Sequence, residues 1–443
     1  MTGTAIDGDS KAPSPTWCAL PWMHLFVGEN GTMRPCCMAL ENPGMVNRDS
    51  EGVPLTAYDG VPLEQSWNSP FMRKIRQEML SGQRPPACAR CFREEDLGMR
   101  SERQTSNDTF AAGMAEAVAA TGTDGWSSAD RIRSLDIRLG NRCNLKCRMC
   151  SPVSSRATRA DYAALHGIEP DHPRLVEQIG PEDWMSSKAF LDLFEACSAG
   201  ADRIQFSGGE PLLIPEMKML LQGLVDRGLA SGIDLYYISN LTTLPKALFP
   251  LWQQFRRVSF LVSLDAIEAE GEYIRNNLNW PRLALNLRLL DAKAEEIGCR
   301  KPRVNVTVQA YNVLGLDKTV AYVAQNLPHF GRPNLSLLYY PEHLGVRVLP
   351  PGLKRIATER LLRLADRVRG GWPGQWTGEE ADDLLLTIDG IVEHMNGADR
   401  TDLLDEFRRW TRILDDRRGE DVRLALPELG AIFELEAVAE GVS

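Results

Sequence analysis

Three cysteines, Cys143, Cys147 and Cys150, lie together in the short stretch CNLKCRMC. Thiolates are soft ligands that suit iron–sulfur clusters or zinc, and a spacing of three and then two residues lets one loop surround a single centre. Three ligands from one loop leave a fourth position open. On a four-iron cluster, that position can bind a small chelating molecule. A zinc knuckle or three buried structural cysteines are the alternatives.

Five more cysteines precede residue 100. Cys88 and Cys91 form a CxxC pair, a compact thiolate clamp that zinc and iron–sulfur sites share. With Cys18 and Cys36 this pair would complete a four-thiolate centre, which leaves Cys37 over. Three roles stay open for Cys37: a ligand in place of Cys36, a hydrogen-atom donor, or a core residue.

The elements that position these cysteines form a repeated strand–loop–helix pattern from residue 131 onwards. Leu135, Ile137 and Leu139 alternate as in a strand, and Gly140-Asn141 then ends it, so the three clustered cysteines follow a strand directly. Repeated strand–helix units imply parallel strands with right-handed crossovers. Six strands are predicted: Ser134–Leu139, Arg203–Ser207, Ile233–Ser239, Val258–Leu264, Val304–Gln309 and Asn334–Tyr340.

Polar motifs follow these strands, at the edge of a parallel sheet where functional groups gather. The glycines of the first motif allow close backbone approach to a ligand, and its glutamate offers an acceptor. The motifs are Gly208-Gly209-Glu210-Pro211, Ser239-Asn240, Ser263 with Asp265 and then Arg275, and Gln309 with Asn312.

The first hundred residues predict a small cysteine-rich domain. The segments MHLFV and TMRPCCM flank the turn Gly28-Glu29-Asn30-Gly31, which predicts a hairpin with Cys18 before its first strand and Cys36-Cys37 in its second. A helix is expected around residues 69–81. The predicted domains are a disordered tail (1–15), the cysteine-rich domain (16–100), a linker (101–130), a domain of repeated strand–helix units (131–345) and a helical C-terminal region (346–443) without visible chemistry.

Composition narrows the class of protein. The chain has 443 residues, of which 43% are hydrophobic and 25% charged, as in an ordinary globular protein, and its net charge of −10 argues against a nucleic-acid binder. No apolar run is long enough to span a bilayer, and the first fifteen residues lack the apolar core of a signal peptide. We therefore expect a cytoplasmic protein without a membrane partner, whose cysteines bind metal and do not form disulfides.

The stretch CNLKCRMC resembles the CxxxCxxC signature of the radical S-adenosylmethionine (SAM) superfamily, with Met149 where an aromatic residue is usual. The sequence SGGEP, one strand–helix unit later, resembles the family's GGEP motif. The resemblance implies an α/β fold, the partial (β/α)6 TIM-like barrel, and a [4Fe-4S] cluster on Cys143, Cys147 and Cys150 whose open iron is chelated by SAM. It also implies SAM contacts from Gly208, Gly209, Glu210, Pro211, Ser239, Asn240, Ser263, Asp265, Arg275, Gln309 and Asn312, with Arg275 on the SAM carboxylate.

The N-terminal cysteines resemble a second family. Cys18, twelve residues, Gly31, four residues and Cys36, followed by the CxxC at Cys88, is similar to the twitch domain, the short relative of the SPASM domain. The resemblance implies an auxiliary [4Fe-4S] cluster on Cys18, Cys36, Cys88 and Cys91. In most relatives this domain follows the barrel, whereas here it precedes it.

Together the resemblances imply a radical SAM oxidoreductase. An electron donor such as flavodoxin or ferredoxin would drive SAM cleavage to a 5′-deoxyadenosyl radical, which abstracts hydrogen from a carbon. With the auxiliary cluster, the enzyme would oxidise or rearrange a small polar substrate such as a sugar, an aminocyclitol or another natural-product intermediate. The alternatives are crosslinking or epimerisation of a ribosomally made peptide, redox-neutral epimerisation of a sugar with Cys37 as hydrogen donor, and a non-enzymatic zinc or iron–sulfur scaffold.

Overall fold

The computed structural model describes residues 12–41 and 45–434, and its centre is one eight-stranded sheet. All six predicted strands form, side by side and parallel, although the last one ends at Leu337, before the predicted Tyr340. This confirms the predicted α/β class. The sheet runs in the order β10-β9-β7-β6-β5-β3-β1-β2, and the strands are β1 His24–Val27, β2 Met33–Arg34, β3 Ser134–Arg138, β4 Lys146–Cys147, β5 Arg203–Ser207, β6 Asp234–Ser239, β7 Arg257–Ser263, β8 Arg275–Asn276, β9 Arg303–Val308 and β10 Asn334–Leu337.

The N-terminal hairpin extends the barrel sheet. Its strand β1 pairs antiparallel with β2 and parallel with β3, with His24 opposite Ser134. The sequence did not indicate this pairing. The second strand ends at Arg34, so the prediction that Cys36 and Cys37 lie within it is wrong, and Cys37 instead begins a 3-10 turn.

The N-terminal region has its own hydrophobic core, around Trp17, Trp22 and Met79. Residues 101–130, predicted to be a linker, contribute Met114 to that core, where the Trp17 indole N–H contacts the Met114 sulfur at 3.1 Å. Residues 1–11 of the predicted tail lie outside the described residues, and Ser14, from the same predicted segment, is buried. The helices of this region are α1 Leu20–Met23, α2 Leu63–Trp67, α3 Pro70–Leu80, α4 Ala89–Asp96, α5 Glu102–Thr109 and α6 Met114–Ala119.

The two faces of the barrel strands differ in polarity. On β9, Val304, Val306 and Val308 are fully buried against the crossover helices, whereas Asn305 and Thr307 point the other way and stay partly exposed. We call this second, polar side the inner face. The crossover and loop helices are α7 Arg159–His166, α8 Pro173–Ile179, α9 Lys188–Ser198, α10 Pro215–Asp226, α11 Phe249–Trp252, α12 Glu268–Ile274, α13 Trp280–Lys293 and α14 Leu316–Asn326.

The C-terminal region is helical, as predicted. Its amphipathic helices bury apolar residues such as Leu361, Leu384 and Phe407 in the same core as the barrel. Among the described helices, none is both long and apolar enough to cross a membrane. The helices are α15 Pro351–Arg369, α16 Glu379–Asn396, α17 Leu404–Arg418, α18 Val422–Ala425 and α19 Pro427–Glu434.

Candidate cluster and cofactor sites

The cysteine loop, residues 139–150, follows the carboxyl end of β3 and carries three thiols. Cys147 lies in the short strand β4, which pairs antiparallel with β8 so that Cys147 stands opposite Arg275. Three N–H groups approach the sulfurs: Leu145 N at 3.5 Å and Asn240 Nδ2 at 3.7 Å from Cys143 Sγ, and Arg275 Nη1 at 3.8 Å from Cys147 Sγ. Such donors stabilise thiolates, which are the ligand form of cysteine.

The three loop thiols also act on one another electrostatically. Burial raises the pKa of the Cys143 thiol to about 11, and the neighbouring Cys147 adds to the rise. A hydrogen bond between Cys147 and Cys150 lowers the pKa of Cys147 and raises that of Cys150. Three adjacent thiols with an arginine beside them fit the cysteine side of a [4Fe-4S] cluster. Among the described residues, no three Cys, His, Asp or Glu side chains are grouped to hold a single metal ion.

The Gly208-Gly209-Glu210 motif packs directly on the cysteine loop. Both glycines have positive φ, and a Cβ on Gly209 would lie 2.4 Å from the Arg142 carbonyl oxygen. The Glu210 N–H donates to that same oxygen at 2.9 Å. The close backbone approach that the sequence suggested is therefore made to the cysteine loop. Pro211, which is buried, begins a short 3-10 turn.

Glu210 ties the ends of two neighbouring strands together. Its fully buried carboxylate accepts hydrogen bonds from Ser239 Oγ at 2.7 Å, Asn240 N at 2.6 Å and Leu212 N at 3.1 Å. Burial raises the pKa of Glu210 to about 7, although these donors oppose the rise. Because Asn240 also approaches Cys143, the carboxylate holds one of the groups that contact the cysteine loop.

A second buried group joins β7 to β9. Asp265 accepts a hydrogen bond from Thr307 N at 2.8 Å, and its other oxygen lies 2.8 Å from Arg275 Nε. Asn312 Nδ2 donates to the Asp265 carbonyl at 3.0 Å, and its side-chain oxygen accepts from Gln309 N. The predicted carboxylate-binding arginine thus already has a protein carboxylate beside it. Gln309 Oε1 is buried without a hydrogen-bond partner among the described residues, so it is available to a ligand.

Ser263, the remaining predicted SAM contact, ends β7 on the inner face and is partly exposed. The predicted contacts thus sit at the carboxyl ends of β5, β6, β7 and β9 or in the loops after them, on the same side of the sheet as the cysteine loop. A donor set of three thiols, with one orphaned amide oxygen nearby on the strand ends, fits a cluster that binds SAM.

Four N-terminal thiols form a second group, which we call the auxiliary group: Cys18, Cys36, Cys88 and Cys91. Burial raises the pKa of the Cys18 thiol well above its ordinary value, and Cys88 and Cys91 raise it further. Burial likewise raises the pKa of Cys36, and the adjacent Cys37 and then Cys91, Cys88 and Cys18 raise it further. Each therefore lies within electrostatic reach of the others, as four ligands of one [4Fe-4S] cluster must.

Cys37 has different neighbours. Burial raises the pKa of its thiol, and the charged groups that act on it are Asp136, Glu102, Arg138 and Arg90. Asp136 and Arg138 belong to β3 on the inner face. Cys37 thus lies within electrostatic reach of β3, whereas Cys36 lies within reach of Cys18, Cys88 and Cys91 as well as of Cys37.

Sequence reasoning missed Arg148, which lies inside the CxxxCxxC motif and is fully buried. Its Nη2 donates to Asp415 Oδ1 and to Glu420 Oε2, both at 2.5 Å, and its guanidinium stacks 3.6 Å from the centre of the Tyr273 ring. Asp415 stands 267 residues further along the chain, in the region that showed no chemistry. The sequence offered one signal for Arg148, namely a cationic residue between two of the clustered cysteines. The partners of Arg148 are too far along the chain to be predicted from residue spacing.

A second contact joins the same helix to the cysteine loop. Lys146 Nζ lies 3.6 Å from Asp161, which Arg417 and Arg418 of α17 also bind at 3.1 and 3.0 Å. Both neighbours of Cys147 are therefore held by the C-terminal region. Arg148 binds α17 and the turn after it directly, and Lys146 is linked to α17 through Asp161. The C-terminal region thus serves as a support for the cysteine loop.

Two family models match the chain. Residues 137–313 match the Radical SAM superfamily, and residues 18–92 match SPASM, described as an iron-sulfur cluster-binding domain. The first range contains the three loop thiols and the second contains the auxiliary group. The chain therefore carries both domains, in the unusual order that the cysteine spacing indicated, and its cofactors are SAM, a [4Fe-4S] cluster that chelates it, and an auxiliary [4Fe-4S] cluster.

The curated relatives include two proteins named GTP 3′,8-cyclase, from two strains of Xanthomonas campestris pv. campestris. Each is 26% identical over 258 residues, which is 56% of this chain and 67% of the relative. Among solved structures, two of Streptococcus suis SuiB align over 73% of this chain. The structure bound to S-adenosylmethionine is covered to 64% at 10% identity, and the other is covered to 66% at 11% identity. The TM-scores, 0.32 and 0.35, are too low to support any argument about this chain.

Proposed function

We propose that this chain is a radical SAM enzyme that uses its auxiliary cluster to oxidise or rearrange a small polar substrate inside the barrel. One observation carries the proposal: two groups of thiols flank one polar inner face. The cysteine loop follows the carboxyl end of β3, whereas Cys18 precedes β1 and Cys36 follows β2, towards the amino ends of the strands. A substrate between them is within reach of both cofactors.

The inner face supports a polar substrate. Gln205, Tyr236, Ser259, Asn305 and Ser336 alternate along the strands with fully buried apolar residues and are themselves partly exposed, so water reaches this face. Uncharged hydroxyl and amide groups of this kind fix the orientation of a hydroxylated or amidated ligand. Orienting such a ligand does not require a charged side chain at these five positions.

When bound, the loop cluster with SAM supplies a 5′-deoxyadenosyl radical that abstracts hydrogen from carbon, and the auxiliary cluster supplies an acceptor for the remaining electron. The chain's own residues orient these groups. Asp265 holds the Arg275 guanidinium against Cys147, Glu210 holds Asn240 beside Cys143, and Gln309 offers its free amide oxygen. The buried strand ends also limit the access of dissolved hydrogen-atom donors and dioxygen, which would quench a carbon radical.

A second candidate reaction is redox-neutral epimerisation, which the position of Cys37 favours. A hydrogen-atom donor has to reach the substrate, and the Cys37 thiol lies within electrostatic reach of Asp136 and Arg138 on the inner face of β3. The name of the curated relatives states a ring-forming reaction. We therefore propose ring formation as the rearrangement that is the alternative to oxidation. Peptide modification remains a further alternative, and a flavodoxin or ferredoxin is the electron donor that we propose.

The proposal is tested on the anaerobically reconstituted full chain with dithionite and SAM. We expect release of 5′-deoxyadenosine and methionine, together with about eight irons per chain that Mössbauer spectra assign to two four-iron clusters. A zinc or iron–sulfur scaffold releases no 5′-deoxyadenosine, and that result would overturn the proposal. About four irons per chain would leave the radical chemistry but remove the role of the auxiliary group.

A further inference from the structure

Two arginines on the inner face flank one aromatic ring. Antiparallel pairing places Arg34 of β2 opposite Phe26 of β1, and parallel pairing places Phe26 opposite Asp136 of β3, so these three side chains share one row. The guanidinium carbons of Arg34 and Arg138 lie 5.7 and 5.0 Å from the centre of the Phe26 ring. Both cations therefore border the same small volume.

Two carboxylates, Glu29 and Asp136, lie near these two cations, and only Arg138 makes a direct ion pair with one of them. Glu29, whose side chain is 3% exposed, lies 2.8 Å from Arg138 Nη1 and is an ion-pair partner for that arginine. Asp136 accepts a hydrogen bond from Ser207 Oγ and has no arginine within 4 Å among the described residues. Arg34 likewise has no carboxylate within 4 Å in the described part of the chain. Glu29 acts on Arg34 only at longer range, so Arg34 is left without a direct ion pair.

Arg34 is also short of hydrogen-bond acceptors. Its Nη2 donates weakly to Thr32 Oγ1 at 3.5 Å, and its Nε is buried without a partner among the described residues. A partly buried charge without a direct ion pair costs free energy, because a distant carboxylate and one weak hydrogen bond replace the lost water only in part. The cost is recovered when a ligand brings an anionic group to this place. A guanidinium fork matches the two oxygens of a carboxylate or phosphate.

The pair lies between the two thiol groups. Arg34 precedes Cys36 by two residues, and Arg138 ends β3, from which the cysteine loop begins. We propose that the substrate carries a phosphate or carboxylate group, which Arg34 and Arg138 bind beside the Phe26 ring. The inference rests on the proposed function for the statement that a substrate occupies the barrel, and it adds the chemical class of that substrate.

Arg34 is the informative residue to change. Removing Arg138 would leave Glu29 without its direct ion-pair partner, whereas Glu29 keeps Arg138 when Arg34 is removed. Arg34→Gln removes the charge, and Arg34→Lys keeps the charge but loses the bidentate fork. Arg282→Gln is the matched control, because Arg282 is an exposed arginine on α13, on the opposite side of the strands.

The experiment measures binding of inorganic phosphate and of succinate to the reconstituted full chain, as saturable shifts of the thermal midpoint at constant ionic strength. We expect wild type and Arg282→Gln to bind one of the two probes equally well. Arg34→Gln should bind it about tenfold more weakly or worse, with Arg34→Lys in between. Phosphate binding without succinate binding identifies a phosphorylated substrate, and the reverse identifies a carboxylic acid.

Three results would overturn the inference. Wild type binds neither probe saturably, or Arg34→Gln binds as tightly as wild type, or Arg34→Gln changes the iron content and spectrum of the auxiliary cluster while its anion affinity is unchanged. The last result would make Arg34 a counter-ion of that cluster. Release of 5′-deoxyadenosine is measured on the same preparations, so failure of the radical chemistry is seen separately from failure of anion binding.

Discussion

The two thiol groups are assembled in different ways. The cysteine loop takes its three thiols from one short stretch after β3, residues 139–150, and its supports come from elsewhere: Asn240, Arg275 and, through Arg148, Asp415. The auxiliary group takes four thiols from three separate segments, which meet only because the N-terminal core packs. The thiols of the cysteine loop are therefore close in sequence and are supported by distant residues. The thiols of the auxiliary group come together only when the N-terminal region folds.

The largest effect is expected from removing the local motif. Cys143→Ala/Cys147→Ala/Cys150→Ala leaves no ligands for the cluster that binds SAM, so 5′-deoxyadenosine release should fall to background. Iron content should fall from about eight to about four per chain, because the auxiliary group is untouched. Iron analysis, Mössbauer spectra and product analysis measure this. Residual SAM cleavage, or a loss of all iron, would contradict the independence of the two groups.

Removing the auxiliary thiols should also cost stability. Cys88→Ala/Cys91→Ala deletes two ligands of a centre that joins three segments, and metal binding energy at such a centre is folding energy. We expect the other half of the iron to be lost and the thermal midpoint of the reconstituted chain to fall more than in the loop variant. Cleavage of SAM without substrate should continue. Equal midpoints for the two variants would show that the auxiliary group is not a tertiary crosslink.

The remote support of the loop can be broken without touching a ligand. Arg148→Met leaves Asp415 and Glu420 as poorly solvated, unpaired carboxylates, which should cost about 3–5 kcal/mol of unfolding free energy. The control is Arg417→Gln, whose guanidinium on the same helix is 40% exposed and should cost less than about 1 kcal/mol. Urea denaturation of the apo chain measures both. Similar costs would mean that the buried network does not hold the loop.

Much of this architecture could be predicted from the sequence, and the rest could not for physical reasons. The six parallel strands follow from apolar alternation such as Val304, Val306 and Val308, because one face packs on helices. The pairing of β1 with β3 could not be predicted, since a four-residue strand carries no signal for its partner. The contact between Arg148 and Asp415 joins residues 267 positions apart, and only packing brings them together.

The glycine motif gives a smaller effect on the same loop. Gly209→Ala places a Cβ 2.4 Å from the Arg142 carbonyl oxygen at a residue with φ of +49°, so the cysteine loop has to shift. We expect a cost of about 1–3 kcal/mol and weaker cluster retention. Gly232→Ala is the control, because its Cβ would meet no atom within 4 Å. A Gly209→Ala variant as stable as this control would show that the loop adapts freely.

The smallest effect on the iron is expected at Cys37, although it adjoins a ligand. Asp136 and Arg138 of β3 act electrostatically on its thiol, whereas Cys18, Cys88 and Cys91 act on the thiol of Cys36. Cys37→Ala should therefore keep about eight irons per chain, and Cys36→Ala should keep about four. The reverse pattern would exchange the two cysteines as ligands. If iron stays while a deuterium atom from solvent is no longer delivered to the product, Cys37 is the hydrogen donor, and the N-terminal region contributes to the barrel chemistry as well as to the auxiliary cluster.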